Sequence, residues 1–429
     1  MTQNPTGLLA EGMADLALVL VVSAALTPLL QRLRQPRVIA EIIAGLALGP
    51  SLLGLLPGHL TDRFFPAAAR PDLSAVAQVA ILLFMFLVGW EIEPAEMLRN
   101  RNAVLGVCLA SVTLPFAAGV LLALGLYRDH AVVGGHHVGR AAFVLFIGTA
   151  MATTAFPVLA RIIREHRLES TRVGAVALAS AAVGDVIAWC LLALVSAVAT
   201  SSGSGRLLRV VAFSILYGLV LAAVVRPLLR LLISRHSSGD HVSLHLLPLV
   251  ASGALLSGYV VYVIGLDPIF GAFAFGLAMP RNAGPALRER IRVPMEQMTS
   301  LLLPAFFVVT GLSVDIASLS GSGTLELLAV CAVACLGKIA GAGVAARASG
   351  MSWADSRAVG LLMNTRGLTE LIILNVGRTL GVLDTRMFTM LTVMAVLTTA
   401  MAGPFVPRLP EVRTSESGDS RGALVAAHD

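Results

Sequence analysis

Two apolar stretches, GTAMATTAFPVLARII at residues 148–163 and GLLMNTRGLTELIIL at residues 360–374, contain residues that interrupt a membrane-spanning helix. In the first stretch, Pro157 lacks the amide that would otherwise hydrogen-bond to the carbonyl of Thr153. The residues that interrupt the second stretch are Asn364, Thr365, Arg366, Gly367 and Glu370. Irregular backbone at membrane depth must line a cavity or be buried in protein, so both stretches predict broken helices at a binding site.

The composition is that of a membrane protein with helical spans. Of the 429 residues, 57% are hydrophobic and 13% are charged, and the mean hydropathy is +0.85. Soluble domains carry about 25% charged residues. Runs of about 20 apolar residues recur along the chain, which is the length of a helical span, whereas a transmembrane barrel has segments of about 10 alternating residues. The sequence therefore predicts an all-α polytopic membrane protein.

Thirteen apolar segments are predicted to span the membrane. They are residues 13–31, 38–56, 75–91, 103–126, 141–163, 173–199, 208–232, 244–264, 267–280, 299–313, 327–346, 357–377 and 386–407. We expect residues 1–12 to form an extracytoplasmic segment, residues 13–407 to form the transmembrane domain, and residues 408–429 to be a disordered cytoplasmic tail.

The arginines are distributed unequally between the two ends of these segments. The loops that follow odd-numbered segments, together with the tail, hold 21 arginines, and the opposite side holds 8. Short cytoplasmic loops are enriched in basic residues, so we expect the N-terminus outside and the C-terminus in the cytoplasm of a plasma-membrane protein. The net charge of +6 reflects this topology, so the lipid bilayer is an expected partner and nucleic acid is not.

Two short patterns recur seven segments apart. AGLALGPS at 44–51 resembles FGLAMPR at 275–281, and FLVGWEIEP at 86–94 resembles FVVTGLSVD at 307–315. An odd offset places the two copies in opposite orientations, which predicts an inverted repeat of segments 1–6 and 8–13 with segment 7 as the linker. The repeat pairs segment 5 with segment 12, and secondary transporters bind substrate at such paired broken helices.

Four charged residues lie in the middle of predicted spans: Asp185, Lys338, Arg366 and Glu370. A charge at a helix centre costs about 2.5–3.5 kcal/mol, so each should face the protein interior and have a partner. Arg366 and Glu370 are four residues apart and are expected to form an intrahelical ion pair, with a direct role in transport as the alternative. Asp185 and Lys338, the only lysine in the chain, are expected to pair with each other; separate arginine partners or snorkelling are the alternatives.

A buried acid–lysine pair is suited to exchanging one cation for another. Burial disfavours the charged form of both groups while their attraction favours it, so the site holds a proton or a cation but not both. Asp185 supplies a carboxylate, and the Thr153 carbonyl and the Thr154 hydroxyl are candidate oxygen ligands for the ion. Glu41, near the cytoplasmic end of segment 2, is a candidate mouth residue, with helix capping or an arginine partner as the alternative.

Seven motifs together resemble the monovalent cation:proton antiporter-2 family, which includes Kef-type and sodium/proton exchangers. In family order they are VIAEIIAGLALGPSLLG, FLVGWEIEP, TAFPVLARIIRE, AVGDVIAW, GAFAFGLAMPR, PAFFVVTGL and NTRGLTELIILNVG. The resemblance covers residues 13–407 and implies thirteen helices, crossing unwound helices, a dimerisation domain and a mobile core domain that moves like an elevator. It also implies that Asp185 carries the ion or proton and that Lys338 is its charge partner. Arg366 and Glu370 resemble the family's structural pair.

Three positions depart from the family pattern. Gly184 replaces the Asn or Asp that usually precedes the aspartate, which leaves the stoichiometry open. Ala152 replaces a serine that is common two residues before Thr154, so one possible ligand is missing. Asp267 replaces a histidine that often begins segment 9.

These features predict a secondary active transporter that exchanges Na⁺ or K⁺ for protons by alternating access, as a homodimer. A cation channel or uniporter, or a proton-coupled exporter of an organic cation, is the alternative on the same scaffold. The sequence contains no evident nucleophile–base pair or metal-ligand cluster, so we expect no enzymatic activity, no cofactor and no resident metal.

Overall fold

A computed structural model of the protein confirms the predicted all-α fold class. The structure describes residues 5–32, 37–55, 61, 64–66, 70–91, 101–168, 171–200, 204–236, 246–280, 285–316, 319 and 321–405. Within these ranges the chain is almost entirely helical. The one strand pair in the described part is a two-residue hairpin, β1 (Val132–Val133) against β2 (His136–His137). The predicted tail at 408–429 lies outside the described residues.

The helices are separated by short connections. A 3₁₀ turn (Leu53–Leu55) follows the helix Arg37–Leu48, and a π-helical turn (Leu221–Val225) joins the helices Ser204–Val220 and Arg226–His236. In chain order the helices are α1 (Pro5–Arg32), α2 (Arg37–Leu48), α3 (Arg70–Glu91), α4 (Arg101–Leu126), α5 (Arg140–Ala152), α6 (Phe156–Glu165), α7 (Arg172–Thr200), α8 (Ser204–Val220), α9 (Arg226–His236), α10 (Leu246–Ile264), α11 (Pro268–Ala278), α12 (Pro285–Gly311), α13 (Ser322–Ala348), α14 (Trp353–Met363), α15 (Leu368–Thr379) and α16 (Thr385–Phe405).

Eight helical stretches among the described residues are long and apolar enough to cross a membrane. They are α1, α3, α4, α7, the continuous α8–α9 stretch, α10, α12 and α13. Three shorter apolar helices, α5, α11 and α16, add to them. Predicted segments 5 and 12 are each divided into two short helices, α5 with α6 and α14 with α15, so neither has the length of a single spanning helix. The chain is a multi-pass membrane protein, and the number of thirteen spans stays a prediction.

The chain divides into two compact units. The first unit comprises Met1–Ala25, Ile43–Glu93 and Ala193–Ser313. The second, here called the site unit, comprises Leu26–Ile42, Pro94–Leu192 and Val314–Asp429. Both broken segments, and all four charges predicted at mid-membrane depth, belong to the site unit.

The recurring sequence patterns pack crosswise within the first unit. Gly276 of α11 lies against the backbone of Phe86 of α3, and Gly311 of α12 lies against the backbone of Gly45 of α2. A Cβ atom at Gly276 or Gly311 would overlap those main-chain atoms. Small residues allow such close approach of membrane helices. The third segment therefore packs on the ninth, and the tenth packs on the second. The predicted repeat matches segment 2 with segment 9 and segment 3 with segment 10, so a two-fold operation would exchange these two contacts.

The close approach at Gly276 generates a test of the fold. Replacing glycine by alanine inside a helix ordinarily stabilises it by about 1 kcal/mol, but the overlap with Phe86 should cost about 1–3 kcal/mol. We expect Gly276→Ala to lower the melting temperature of the purified protein in detergent. Gly218→Ala in α8 is the matched control, because no atom lies within 4 Å of the added Cβ. Equal melting temperatures for the two variants would contradict the close packing of α3 and α11.

Candidate functional site

The first broken segment stops and restarts within four residues. α5 ends at Ala152, residues 153–155 are not helical, and α6 begins at Phe156. We expected Pro157 to interrupt the interior of a helix. It instead occupies the first turn of α6, where the missing amide removes no intrahelical hydrogen bond. The break therefore lies just before the proline, and it leaves the last carbonyls of α5 without helical partners.

The second broken segment depends on a glycine conformation. α14 ends at Met363, and α15 begins at Leu368. Gly367, which precedes α15, has φ 142° and ψ −126°, a region of backbone space that is essentially restricted to glycine. This residue lets the chain re-enter a helix directly after Arg366.

The two breaks are hydrogen-bonded to each other. The amide of Ala155 donates to the carbonyl of Thr365 at 3.0 Å. The hydroxyl of Thr154 donates to the carbonyl of Met363, also at 3.0 Å. Each broken segment therefore satisfies polar backbone of the other, as the membrane interior requires.

Arg366 binds the end of α5. Its guanidinium donates to the carbonyls of Ala150 and Met151, each at 2.7 Å. The same group forms the expected ion pair with Glu370 at 2.9 Å, and both side chains have no exposed surface. A cation at a helix C-terminus is favoured by the helix dipole, and Glu370 in the first turn of α15 is favoured for the same reason.

Lys338 binds the next carbonyl of the same helix end. Its fully buried ammonium donates to the carbonyl of Ala152 and, at 2.6 Å, to the hydroxyl of Thr154. We expected direct pairing with Asp185, and this contact is absent among the described residues: the two groups act on each other only through space, as opposite charges. The carbonyl of Ala152, at the end of α5, supplies the acceptor for this ammonium, and the sequence alone does not reveal it.

Asp185, in the middle of α7, is buried without hydrogen bonds. It is 1% exposed, and neither carboxylate oxygen accepts a hydrogen bond from any residue that the structure describes. The amide of Phe156, the first residue of α6, faces this carboxylate without completing a hydrogen bond. Burying an unsatisfied carboxylate is costly, and a proton or a cation on Asp185 would reduce that cost.

The remaining predicted residues are placed as follows. Thr153 is buried and donates its hydroxyl to the carbonyl of Thr149. Asn364 is buried and donates to the sulfur of Cys335, while its carbonyl oxygen has no partner in the described part of the chain. Glu41 is buried in α2 and has a polar interaction of its own. The mouth role of Glu41 stays a prediction.

Sequence reasoning missed Thr399. Its hydroxyl accepts a hydrogen bond from the amide of Arg366 at 3.0 Å and donates to the carbonyl of Ala395. Thr399 therefore holds the non-helical residues that precede α15. Paired threonines within an apolar span, LTTAM at 397–401, are the signal that could have directed attention to it.

Comparison with known proteins identifies relatives over nearly the whole chain. The family described as "Sodium/hydrogen exchanger, transmembrane" matches residues 19–411. The chain is 39% identical over 402 residues to "Cation/H(+) antiporter 20" of Arabidopsis thaliana, covering 91% of this chain and 47% of that protein. It therefore spans about half the length of that relative.

Of two further relatives, the first is similar to this chain in length and the second is longer. "Na(+)/H(+) antiporter NhaS4" of Synechocystis sp. is 36% identical over 92% of this chain and 96% of its own length. "K(+)/H(+) antiporter 1" of Saccharomyces cerevisiae is 32% identical over 87% of this chain and 43% of its own length.

A solved structure has the same fold. The sodium proton antiporter MjNhaP1 from Methanocaldococcus jannaschii superimposes with a TM-score of 0.61 at 15% identity, covering 93% of this chain and 96% of that one.

The contacts of Arg366 generate a stability test. Removing one member of a buried ion pair leaves an unpaired charge and costs about 3–5 kcal/mol. We expect Arg366→Met to lower the melting temperature markedly. The double variant Arg366→Met/Glu370→Leu should recover part of the loss, because it removes the unpaired charge but does not restore the guanidinium hydrogen bonds to the carbonyls of Ala150 and Met151. Arg357→Met, at an exposed position in α14, is the control. A single variant as stable as this control would contradict the capping role.

Proposed function

Because the chain belongs to the sodium/hydrogen exchanger family, we propose that it exchanges Na⁺ or K⁺ for protons, with Asp185 as the shared binding site. Its named homologues are cation/proton antiporters, and they include sodium- and potassium-exchanging proteins. The observation that carries the proposal is the buried carboxylate of Asp185, both of whose oxygens are available to a ligand.

Charge balance makes the two ligands compete. Asp185 and Glu370 offset Lys338 and Arg366, so the buried group is neutral when all four are ionised. Adding either a monovalent cation or a proton gives this group a net charge of +1, and adding both gives it a net charge of +2. Buried net charge is costly, so binding one ligand favours release of the other. This competition couples the movement of the cation to the movement of protons.

Lys338 acts as an internal substitute for the transported ion. Its ammonium contacts the carbonyl of Ala152 and the hydroxyl of Thr154, and these are oxygen ligands of the kind that hard cations bind. When the ion enters beside Asp185, the ammonium gives up these oxygens. Thr153 and Thr154 then provide further ligands, as the broken helix allows.

The site unit carries the ion in this proposal. The residues around the two hydrogen-bonded helix breaks, 153–155 and 364–367, here called the crossing, all belong to one compact unit, so they can change their access from one side of the membrane to the other as a body. We propose elevator-like alternating access in a homodimer of the plasma membrane. The N-terminus is placed outside and the C-terminus in the cytoplasm, in agreement with the 21 to 8 distribution of arginines.

Gly184 is small and precedes Asp185 in α7. The nearest atom of another helix to an added Cβ at this position is a methyl group of Val112 at 4.0 Å. The small residue next to Asp185 supports an organic cation as the second candidate substrate. Competition of K⁺ and small alkylammonium ions with Na⁺-driven proton movement distinguishes these substrates.

Replacement of Asp185 tests the shared site. We expect Asp185→Asn in proteoliposomes to reduce Na⁺- and K⁺-driven proton movement to the level of protein-free vesicles, since the neutral amide provides no charge to hold the ion. Asp355→Asn, a partly exposed carboxylate of α14 in the same unit, is the matched control and should exchange like the native chain. Cation flux without coupled proton movement in the native chain would indicate a channel. Exchange by Asp185→Asn at the native rate would exclude the proposed site.

Replacement of Lys338 tests the substitution mechanism. We expect Lys338→Gln to retain exchange, because Asp185 is intact, but to show a changed dependence of the cation KM on pH. The glutamine still donates hydrogen bonds to the Ala152 carbonyl but has no titrating charge. The measurement is initial exchange rate against cation concentration at several pH values. A KM profile that coincides with the native one would rule out participation of the ammonium.

A further inference from the structure

A second cluster of charged groups surrounds a buried histidine at one end of the site unit. His130 follows α4 in the connection to β1, and its side chain has no exposed surface. Its Nδ1 atom is 2.6 Å from Asp384 Oδ2, and its Nε2 atom is 3.2 Å from Glu326 Oε2. Arg386 donates to the other oxygen of Glu326 at 2.7 Å. We call these four residues the His130 cluster.

The cluster joins the ends of several helices. Asp384 also accepts a hydrogen bond from the amide of Met387, and so caps the first turn of α16. Glu326 lies in the first turns of α13. The His130 ring stacks on Phe143 of α5, with ring centroids 6.3 Å apart and planes inclined by 11°. The imidazole therefore contacts residues of α5, α13 and the start of α16 at once.

Both ring nitrogens must donate to make this arrangement favourable. A neutral imidazole has one donor and one acceptor nitrogen, whereas the imidazolium ion has two donors. With two carboxylates facing the ring, loss of the proton places a nitrogen lone pair against a carboxylate oxygen. The geometry is therefore that of a protonated histidine.

The surrounding groups determine how easily His130 loses its proton. Burial opposes the charged form and by itself lowers the pKa of His130, but the hydrogen bonds and negative charges of Asp384 and Glu326 outweigh it and raise the pKa above its ordinary value. Arg386 is the facing cation and is held by Glu326. α5 contributes the uncharged Phe143. Arg128, beside His130 in the chain, is exposed.

The three helices that meet at the cluster also contribute to the crossing. α5 ends at the carbonyls that Arg366 and Lys338 bind, α13 contains Lys338, and α16 contains Thr399. Lys338 is twelve residues beyond Glu326 on α13, a distance of about 18 Å along the helix axis. Continuous helices therefore connect the cluster to residues that hold the site.

We propose that His130 is a proton-binding regulatory site whose protonated form holds α5, α13 and α16 in the arrangement where Lys338 occupies the Ala152 carbonyl and the Thr154 hydroxyl. Loss of the proton releases this arrangement and makes those oxygens available to the transported cation. In the proposed orientation the cluster lies on the outer side, so external pH sets the apparent affinity for the cation. This regulation depends on the proposed exchange function, whereas the protonation of His130 does not.

The protonation state is measured first, on the native chain. Hydrogen–deuterium exchange at the imidazole C2 atom, followed by mass spectrometry, gives a titration midpoint for each histidine. We expect the midpoint of His130 to lie above the ordinary value for histidine, because of its two carboxylate partners. A midpoint for His130 at or below that ordinary value overturns the proposal.

The coupling to stability is tested by substitution. A group with a raised pKa in the folded state stabilises fully below its ordinary pKa, near 6.5, and loses that contribution as pH rises through the folded-state value. We expect the melting temperature of the native protein to fall over this range, and His130→Gln to lose this component. His136→Gln is the control and should follow the native curve. A native-like pH dependence in His130→Gln overturns the proposal.

The coupling to transport is read from the cation KM in proteoliposomes. We expect His130→Gln to have a lower KM than the native chain at acidic external pH and to converge with it at alkaline pH, while His136→Gln matches the native chain throughout. If His130→Gln does not fold, Glu326→Gln replaces it, and the C2-exchange midpoint of His130 should then decrease. Identical KM profiles, or an unchanged midpoint, overturn the proposal.

Exchange that survives Asp185→Asn would refute the proposed function alone, because the titration of His130 is measured independently.

Discussion

Three carbonyl groups at the end of α5 impose the central constraint on this protein. The helix stops at Ala152 within the membrane domain. The amide of Thr153 donates to the carbonyl of Ala150, and the remaining acceptor capacity of the last carbonyls needs donors from elsewhere. Arg366 binds two of them and Lys338 binds the third. Side-chain amides or hydroxyls would also satisfy carbonyls, but cations are favoured further by the negative end of the helix dipole. The break in one helix thus places two positive charges at membrane depth.

Those positive charges account for the acidic residues nearby. Arg366 is neutralised at hydrogen-bonding distance by Glu370. Lys338 has no carboxylate at hydrogen-bonding distance and is balanced through space by Glu370 and Asp185. One oxygen of Glu370 is engaged by Arg366, whereas neither oxygen of Asp185 has a hydrogen-bond partner in the described part of the chain. In the proposed function this difference is what leaves Asp185 able to bind an ion.

The sequence was sufficient for the features that depend on local spacing. Composition and span length predicted the all-α membrane fold, and the residues around Pro157 and Gly367 predicted the two breaks. The spacing of Arg366 and Glu370 predicted their ion pair. The partner of Lys338 was not predictable in this way, because main-chain carbonyls have no sequence signal and the ammonium can choose among acceptors from several helices. Thr399 and His130 were missed for a related reason, since their contacts are 33 and up to 254 residues away in the chain.

The solitary lysine has a practical consequence for spectroscopy. Since every other basic side chain in the sequence is an arginine, protein grown with isotopically labelled lysine contains one labelled ammonium group, and it sits at the crossing of the broken helices. Its nitrogen resonance depends on whether the group donates to the Ala152 carbonyl or has been displaced. In the proposed mechanism, one assignment-free signal therefore reports whether the ion has displaced Lys338, in an otherwise unmodified chain and without a fluorophore or an engineered cysteine.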